Sequence, residues 1–158
     1  MKRIPWLVAL ACGAAAVLGA AAGQALHFPQ HGFSIAPLEG RAGANGMVLL
    51  MSLSPTDGFA PNVNVMAQTS HGTIDDFIAL SKRQFTQAGL HVIKAEKLDD
   101  NDAAFEYSGN LQGRALHWYA KASLKGDEVL LATATATDAQ WPKLADQLKA
   151  CVDSFRRD

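Results

Sequence analysis

Residues 90–137 read LHVIKAEKLDDNDAAFEYSGNLQGRALHWYAKASLKGDEVLLATATAT, and the punctuation of this stretch decides the fold. Three turn-forming segments interrupt it: Asp99-Asp100-Asn101-Asp102, Asn110-Leu111-Gln112-Gly113 and Lys125-Gly126-Asp127. Around them lie four runs with strand character, Leu90 to Leu98, Ala103 to Ser108, Arg114 to Leu124 and Glu128 to Thr137. Crossover connections between parallel strands need about a dozen residues or more, so these short links predict antiparallel hairpins. The repeat Ala132-Thr133-Ala134-Thr135-Ala136-Thr137 suits a strand with one buried and one exposed face. Its alanines are small enough to let a helix approach the sheet closely.

Upstream, Gly32 to Ala36 reads as a strand stopped at Pro37, and Met47 to Leu53 as a second with Met47, Leu49, Met51 and Leu53 on one face. Ser54-Pro55-Thr56-Asp57-Gly58 is turn chemistry. Asn62 to Thr69 alternates Val63, Val65 and Ala67 with Asn62, Asn64 and Met66, as a half-buried antiparallel strand should. A helix then starts at Thr73, whose hydroxyl can cap it, with Asp75 and Asp76 favouring the dipole in the first turn. Ile74, Phe77, Ile78, Phe85 and Ala88 make its apolar face, and Gly89 is placed to end it.

Downstream, Trp141, Leu144, Leu148, Val152 and Phe155 predict a helix from about Asp138 to Arg156, with Cys151 on the same stripe as a buried thiol. Pro142 falls in the first turn, where its missing N–H costs nothing. The order is three strands, helix, four strands, helix. The predicted architecture is α+β, with helices covering an antiparallel sheet.

The first 25 residues stand apart. Met1-Lys2-Arg3 is followed by no charge until Glu39, and the run from Ile4 to Leu18 is apolar. Small residues then fit a signal-peptidase site, either Ala20-Ala21-Ala22 or Gly23-Gln24-Ala25; the second leaves the expected short polar stretch before cleavage. Residues 1–25 are therefore read as a signal peptide and 26–158 as a single domain. An uncleaved membrane anchor and a lipid-modified Cys12 are the competing readings; Lys2 and Arg3 would still send the domain across the membrane. Cleavage takes two bases and no acid, so a net charge of −1 becomes −3, and it leaves Cys151 as the one thiol. The expected location is periplasmic or secreted, with membrane contact only through the signal segment if it is uncleaved.

At this point the chain resembles a known family. Gly32-Phe33-Ser34-Ile35-Ala36-Pro37 looks like the opening strand of the PsbP/Mog/DcrB-like domains, Asn62-Val63-Asn64-Val65 like their third strand, and Thr73-Ile74-Asp75-Asp76-Phe77 like the start of their first helix. Tyr107-Ser108, the strand bearing Trp118-Tyr119, and Val152-Asp153-Ser154-Phe155 follow in the family's order. One departure is Leu38-Glu39-Gly40 after Pro37, where many members carry a tryptophan. The resemblance implies an α/β/α sandwich with a central antiparallel sheet of about six to seven strands flanked by two main helices. Members share binding roles rather than a reaction, and a shared fold transmits no partner.

Function classes narrow by exclusion. The charge balance leaves no basic footprint for nucleic acid. There is no Gly-x-Ser-x-Gly elbow, P-loop or Gly-x-Gly-x-x-Gly, so no enzyme activity and no cofactor are expected. His27 and His31, four apart, are the weak metal candidates, but Pro29 and Gly32 argue against the helix that would align them. A calcium loop beginning at Asp99 would need glycine and glutamate where Ala104 and Asn110 stand, which leaves a hairpin turn. The expectation is a non-enzymatic binding or accessory protein of the bacterial cell envelope, contacting an envelope protein through Phe59, Asp57 and Pro61. In that reading Phe59 is an aromatic on an exposed turn. The alternative is a metal- or small-ligand-binding envelope protein.

Overall fold

The computed structural model describes residues 25–29, 32–35 and 46–158, in two units divided at Gly40/Arg41. The proposed signal segment lies outside these residues, apart from Ala25. In the first unit, β1 (Leu26–Phe28) pairs antiparallel with β2 (Phe33–Ile35). The sequence reading identified β2 and missed β1, whose three residues are too few to show a period.

The second unit contains β3 (Gly46–Ser52), β4 (Asn62–Thr69), α1 (Ile74–Gln87), β5 (His91–Lys97), β6 (Asp102–Leu111), β7 (Arg114–Lys125), β8 (Glu128–Thr137) and α2 (Trp141–Asp153). Its six strands form one antiparallel sheet in the order β3-β4-β8-β7-β6-β5. Hairpins join β5 to β8, as the short turns require. Gln112 and Gly113 both have positive φ, 52° and 77°, and form the two-residue turn between β6 and β7. That conformation matches the twist of paired strands.

The helices lie on opposite faces. α1 brings Ile74 and Phe77 onto Ala103, Phe105, Tyr107, Leu116 and Trp118. An aromatic ladder runs through this side: Phe77 meets Phe105 edge-on at 6.1 Å, Phe85 stacks on Tyr107 at 4.2 Å, and Tyr107 on Trp118 at 5.1 Å. α2 brings Trp141, Leu148 and Val152 onto Val63, Ala132, Ala134 and Ala136. All three alanines are fully buried, and the missing side-chain bulk is what admits the helix. The arrangement is the α+β sandwich expected from the element order.

Thr73 caps α1 with its hydroxyl accepting from the Asp76 amide, while the Asp76 carboxylate accepts from the Thr73 amide at 2.9 Å. This reciprocal capping box satisfies two otherwise orphaned donors. Four details depart from the sequence reading. Thr133 and Thr135 are buried as well as the alanines, because the strand is central and covered on both faces. Ala88 is exposed at the C-cap of α1, while Ser81 is buried on its inner stripe. Cys151 is half-buried rather than buried. β3 breaks register between Met47 and Leu49, so its odd-numbered residues do not share one face.

Candidate functional site

The loop between β3 and β4 is a small hairpin of its own. Thr56 and Phe59 exchange backbone hydrogen bonds of 3.0 and 3.1 Å, and Asp57 (φ 53°) and Gly58 (φ 73°) form the turn between them. Asp-Gly is a favoured pair there because glycine takes positive φ without steric cost and aspartate tolerates it.

Gln140, just before α2, holds this hairpin from beneath. Its buried amide nitrogen donates to the Thr56 carbonyl (3.0 Å), the Thr56 hydroxyl (2.7 Å) and the Phe59 carbonyl (3.2 Å). Its amide oxygen accepts from the Thr137 amide at 3.0 Å. From the side, Arg114 donates to the Asp57 carbonyl and lies over the Phe59 ring, 5.4 Å from its centre. A cleft of about 460 Å³ opens between the loop and α2, lined by Leu53, Ser54, Thr56, Asp57, Pro61, Ala139, Gln140, Lys143 and Leu144.

The three loop residues singled out from sequence have unlike environments. Asp57 is exposed at the turn. Phe59 is half-buried, packed against the core on the α1 side and roofed by Arg114, and Pro61 is fully buried. This corrects the expectation of an exposed aromatic. The outward-facing atoms belong to Ser54, Pro55, Thr56, Asp57 and Gly58, with Phe59 and Pro61 as their anchors.

His27 hydrogen-bonds through Nδ1 with the Ser34 hydroxyl across the β1–β2 hairpin at 2.7 Å, and His31 lies outside the described residues. Among the described residues no group of three or more His, Cys, Asp or Glu side chains is placed to hold a metal ion.

A second constellation was not singled out from sequence. Under α2, the Glu106 carboxylate meets His117 Nε2 at 2.9 Å through one oxygen and the Lys149 ammonium at 2.9 Å through the other. The His117 ring stacks on Trp141 at 4.1 Å, and Asp138 stands 3.9 Å from its Nδ1. Lys149 also lies over the rings of Tyr119 and Trp141, and the Tyr119 hydroxyl donates to Asp153 at 2.8 Å. Burial pushes the Glu106 carboxyl up, but the hydrogen bonds from Lys149 and His117 outweigh it and leave it below the usual carboxylate range. The geometry ties α2 to β6 and β7 by charge. A signal for half of it was present: the Gln112-Gly113 turn sets the register, placing Glu106 diagonally across from His117. The Lys149 contact depends on how α2 lies across the sheet, which no local pattern encodes.

A larger cleft, about 680 Å³, lies at the opposite end of the sheet between the β5–β6 and β7–β8 turns and the C-terminus. Several of its charged side chains are engaged within the chain. Arg157 pairs with Glu128 at 2.6 Å and with two backbone carbonyls, Lys125 donates to the Asp158 carbonyl, and Lys121 meets Asp102 at 3.3 Å. Asp99 accepts from the amides of Asn101 and Asp102, which holds its carboxyl below the usual range and makes the acidic run a hairpin turn.

No family model and no curated protein matches this chain. Solved structures do. The chain is similar to a Pseudomonas aeruginosa protein of unknown function at a TM-score of 0.59 and 15% identity, over 85% of this chain and 96% of that one. It is also similar to cyanobacterial PsbP (CyanoP) from Synechocystis at a TM-score of 0.48 and 12% identity, over 93% of this chain and 99% of that one. The first likeness shows a shared fold. Among the described residues no helix is long and apolar enough to cross a membrane.

Proposed function

We propose that this chain is an exported, non-enzymatic binding or accessory protein of the bacterial cell envelope that presents the 54–61 loop to a protein partner. One observation carries the reading: the Gln140 amide clamps both arms of the loop hairpin while the turn itself stays exposed. A loop ordered before binding loses less conformational entropy on contact, which is how a scaffold contributes to affinity. Export is supported by Lys2-Arg3, the uncharged run that follows, and the small residues ending at Ala25. The non-enzymatic reading is supported by the sequence, which carries no Gly-x-Ser-x-Gly elbow, P-loop or Gly-x-Gly-x-x-Gly.

Capture of partners from envelope extract tests this reading. A protein retained by the wild-type chain above control, and lost when Gln140→Ala frees the loop, is the expected result. Turnover of a small substrate with no protein retained would sink it.

A second reading, small-ligand binding, is favoured by the 460 Å³ cleft, a size typical of small-molecule sites. Thermal shift discriminates, because a native-state ligand at about a hundredfold excess over its dissociation constant adds about 2.7 kcal/mol.

A further inference from the structure

His117 lies beside the segment that carries the loop clamp. Its ring stacks on Trp141 at 4.1 Å, and its Nδ1 faces the Asp138 carboxylate at 3.9 Å. Gln140 stands between those two residues in the chain, and its amide holds Thr56 and Phe59 across the loop hairpin. The backbone here is also fixed: the Asp138 amide donates to the Ala115 carbonyl at 3.2 Å, and Gln140 exchanges hydrogen bonds with Thr137. Residues 138–141 thus meet the loop through Gln140 and His117 through Asp138 and Trp141.

The hydrogen bond to Glu106 decides where the imidazole hydrogen sits. Glu106 also accepts from Lys149 and is held below the usual carboxylate range, so near neutral pH it is an ion that only accepts. Nε2 therefore carries the ring hydrogen, and the neutral ring turns the Nδ1 lone pair towards Asp138. A lone pair facing a carboxylate is repulsive. A second proton can go only to Nδ1. It sets a charged N–H against that carboxylate and a cation on the face of an indole, and both contacts become attractive.

We propose that His117 is a proton-sensitive brace for the 54–61 loop: protonation at Nδ1 draws in Asp138 and Trp141 and, through the intervening Gln140, tightens the hold on Thr56 and Phe59. The other charged groups around the ring leave this direction intact. On β6 the facing group is Glu106, whose second oxygen is taken by Lys149 of α2. On β7, Tyr119 donates to Asp153 of α2, and Lys121 pairs with Asp102. β8 presents alanines on this side, and Lys143 of α2 lines the cleft beside the loop. On β5, Lys94 lies opposite Glu106 and pairs with Glu96 at 2.6 Å. Two carboxylates meet the ring directly, whereas Lys94, Lys121 and Lys149 are each already paired with one. The brace deepens the reading of the loop as a contact surface, and its test needs no partner, so either can fail alone.

Amide exchange in the purified chain, corrected for the intrinsic pH dependence of exchange, tests this when followed alongside the ring signals of His117. The range is about pH 8 to about pH 5, in which imidazoles ordinarily change charge. As the ring takes up its proton, the Thr56 and Phe59 amides should gain protection about threefold relative to β6 amides, the scale of one partly exposed charge contact. His117→Gln keeps a donor for Glu106 but does not titrate, and should abolish the gain. Asp138 is half exposed, so Asp138→Asn should fold; it removes the carboxylate facing Nδ1 and leaves every hydrogen bond of Gln140. That variant should diminish the gain while its His117 ring still titrates. The proposal is overturned by a ring that keeps one charge state across the range, or by loop protection that does not follow the ring. A gain shared equally by β6 amides, or one that His117→Gln or Asp138→Asn leaves intact, overturns it too.

Discussion

Glu106 on β6 and Lys149 on α2 are 43 residues apart in sequence and 2.9 Å apart in space, and the same carboxylate also holds His117. Glu106 is 16% exposed and Lys149 33%, so water screens the pair only in part. Glu106→Ala leaves an ammonium and an imidazole without their acceptor. The expected loss is about 1–3 kcal/mol, below that of a fully buried pair because Lys149 retains water. In denaturant titrations, Glu106→Gln combined with Lys149→Met should lose less than the two single changes added together. Simple additivity would mean the contact does not couple them.

Acid should weaken this tie. The folded Glu106 carboxyl lies below its usual range, so its stabilisation is complete above the unfolded carboxylate value, about 4.3, and is lost as pH falls through the folded value. Asp76, held down by the Thr73 amide and hydroxyl, and Asp99, held down by two turn amides, act in the same direction. The difference between wild type and Glu106→Gln isolates the Glu106 part. The variant should be less stable at neutral pH and fall less steeply in acid. Equal slopes would remove Glu106 from the acid response.

Alkali offers a cleaner reading, because the chain has two tyrosines and both are shifted. Burial pushes the Tyr107 hydroxyl up to about 12. Tyr119 is likewise pushed up to about 12, by burial and then by donation to Asp153 beside further negative charge. Keeping them neutral stabilises the fold fully below the unfolded tyrosine value, about 10, and this is lost as pH rises towards the folded values. Ultraviolet titration of the native protein should therefore show no tyrosinate step near pH 10. Asp153→Asn should lower the Tyr119 step and leave Tyr107 in place.

Gln140 is the keystone of the loop. Gln140→Leu keeps the volume but leaves the Thr56 and Phe59 carbonyls without their side-chain donor, at an expected cost of about 1–3 kcal/mol. Hydrogen exchange should show the Thr56 and Phe59 amides, which bond across the loop, losing protection while β6 and β7 amides keep theirs. Uniform loss across the sheet would mean that Gln140 supports the whole fold and not the loop.

The fold was legible where short-range chemistry determines it. The turn from Asn110 to Gly113, the Thr73 cap with Asp75 and Asp76 behind it, and the alternation from Asn62 to Thr69 each announce their element locally. β3 was legible as a strand but not as an edge, because apolar residues on both faces read the same whether a strand is central or terminal. Phe59 misled for a related reason: an aromatic beside Asp57-Gly58 looks exposed until Arg114 and Gln140, 55 and 81 residues away, are folded over and beneath it. Lys149 reached Glu106 only through helix packing. In each case the missing information was a long-range contact, which residue type and spacing do not contain.

The proposed contact of the 54–61 loop with a partner can be read in living cells. The most direct measurement is cross-linking in living cells with a photoreactive residue in place of exposed Ser54, compared with the same residue in place of exposed Arg83 on α1. A discrete protein adduct is expected at position 54, absent at position 83 and diminished when Gln140→Ala loosens the loop. Adducts equal at both positions, or none at position 54, would contradict it.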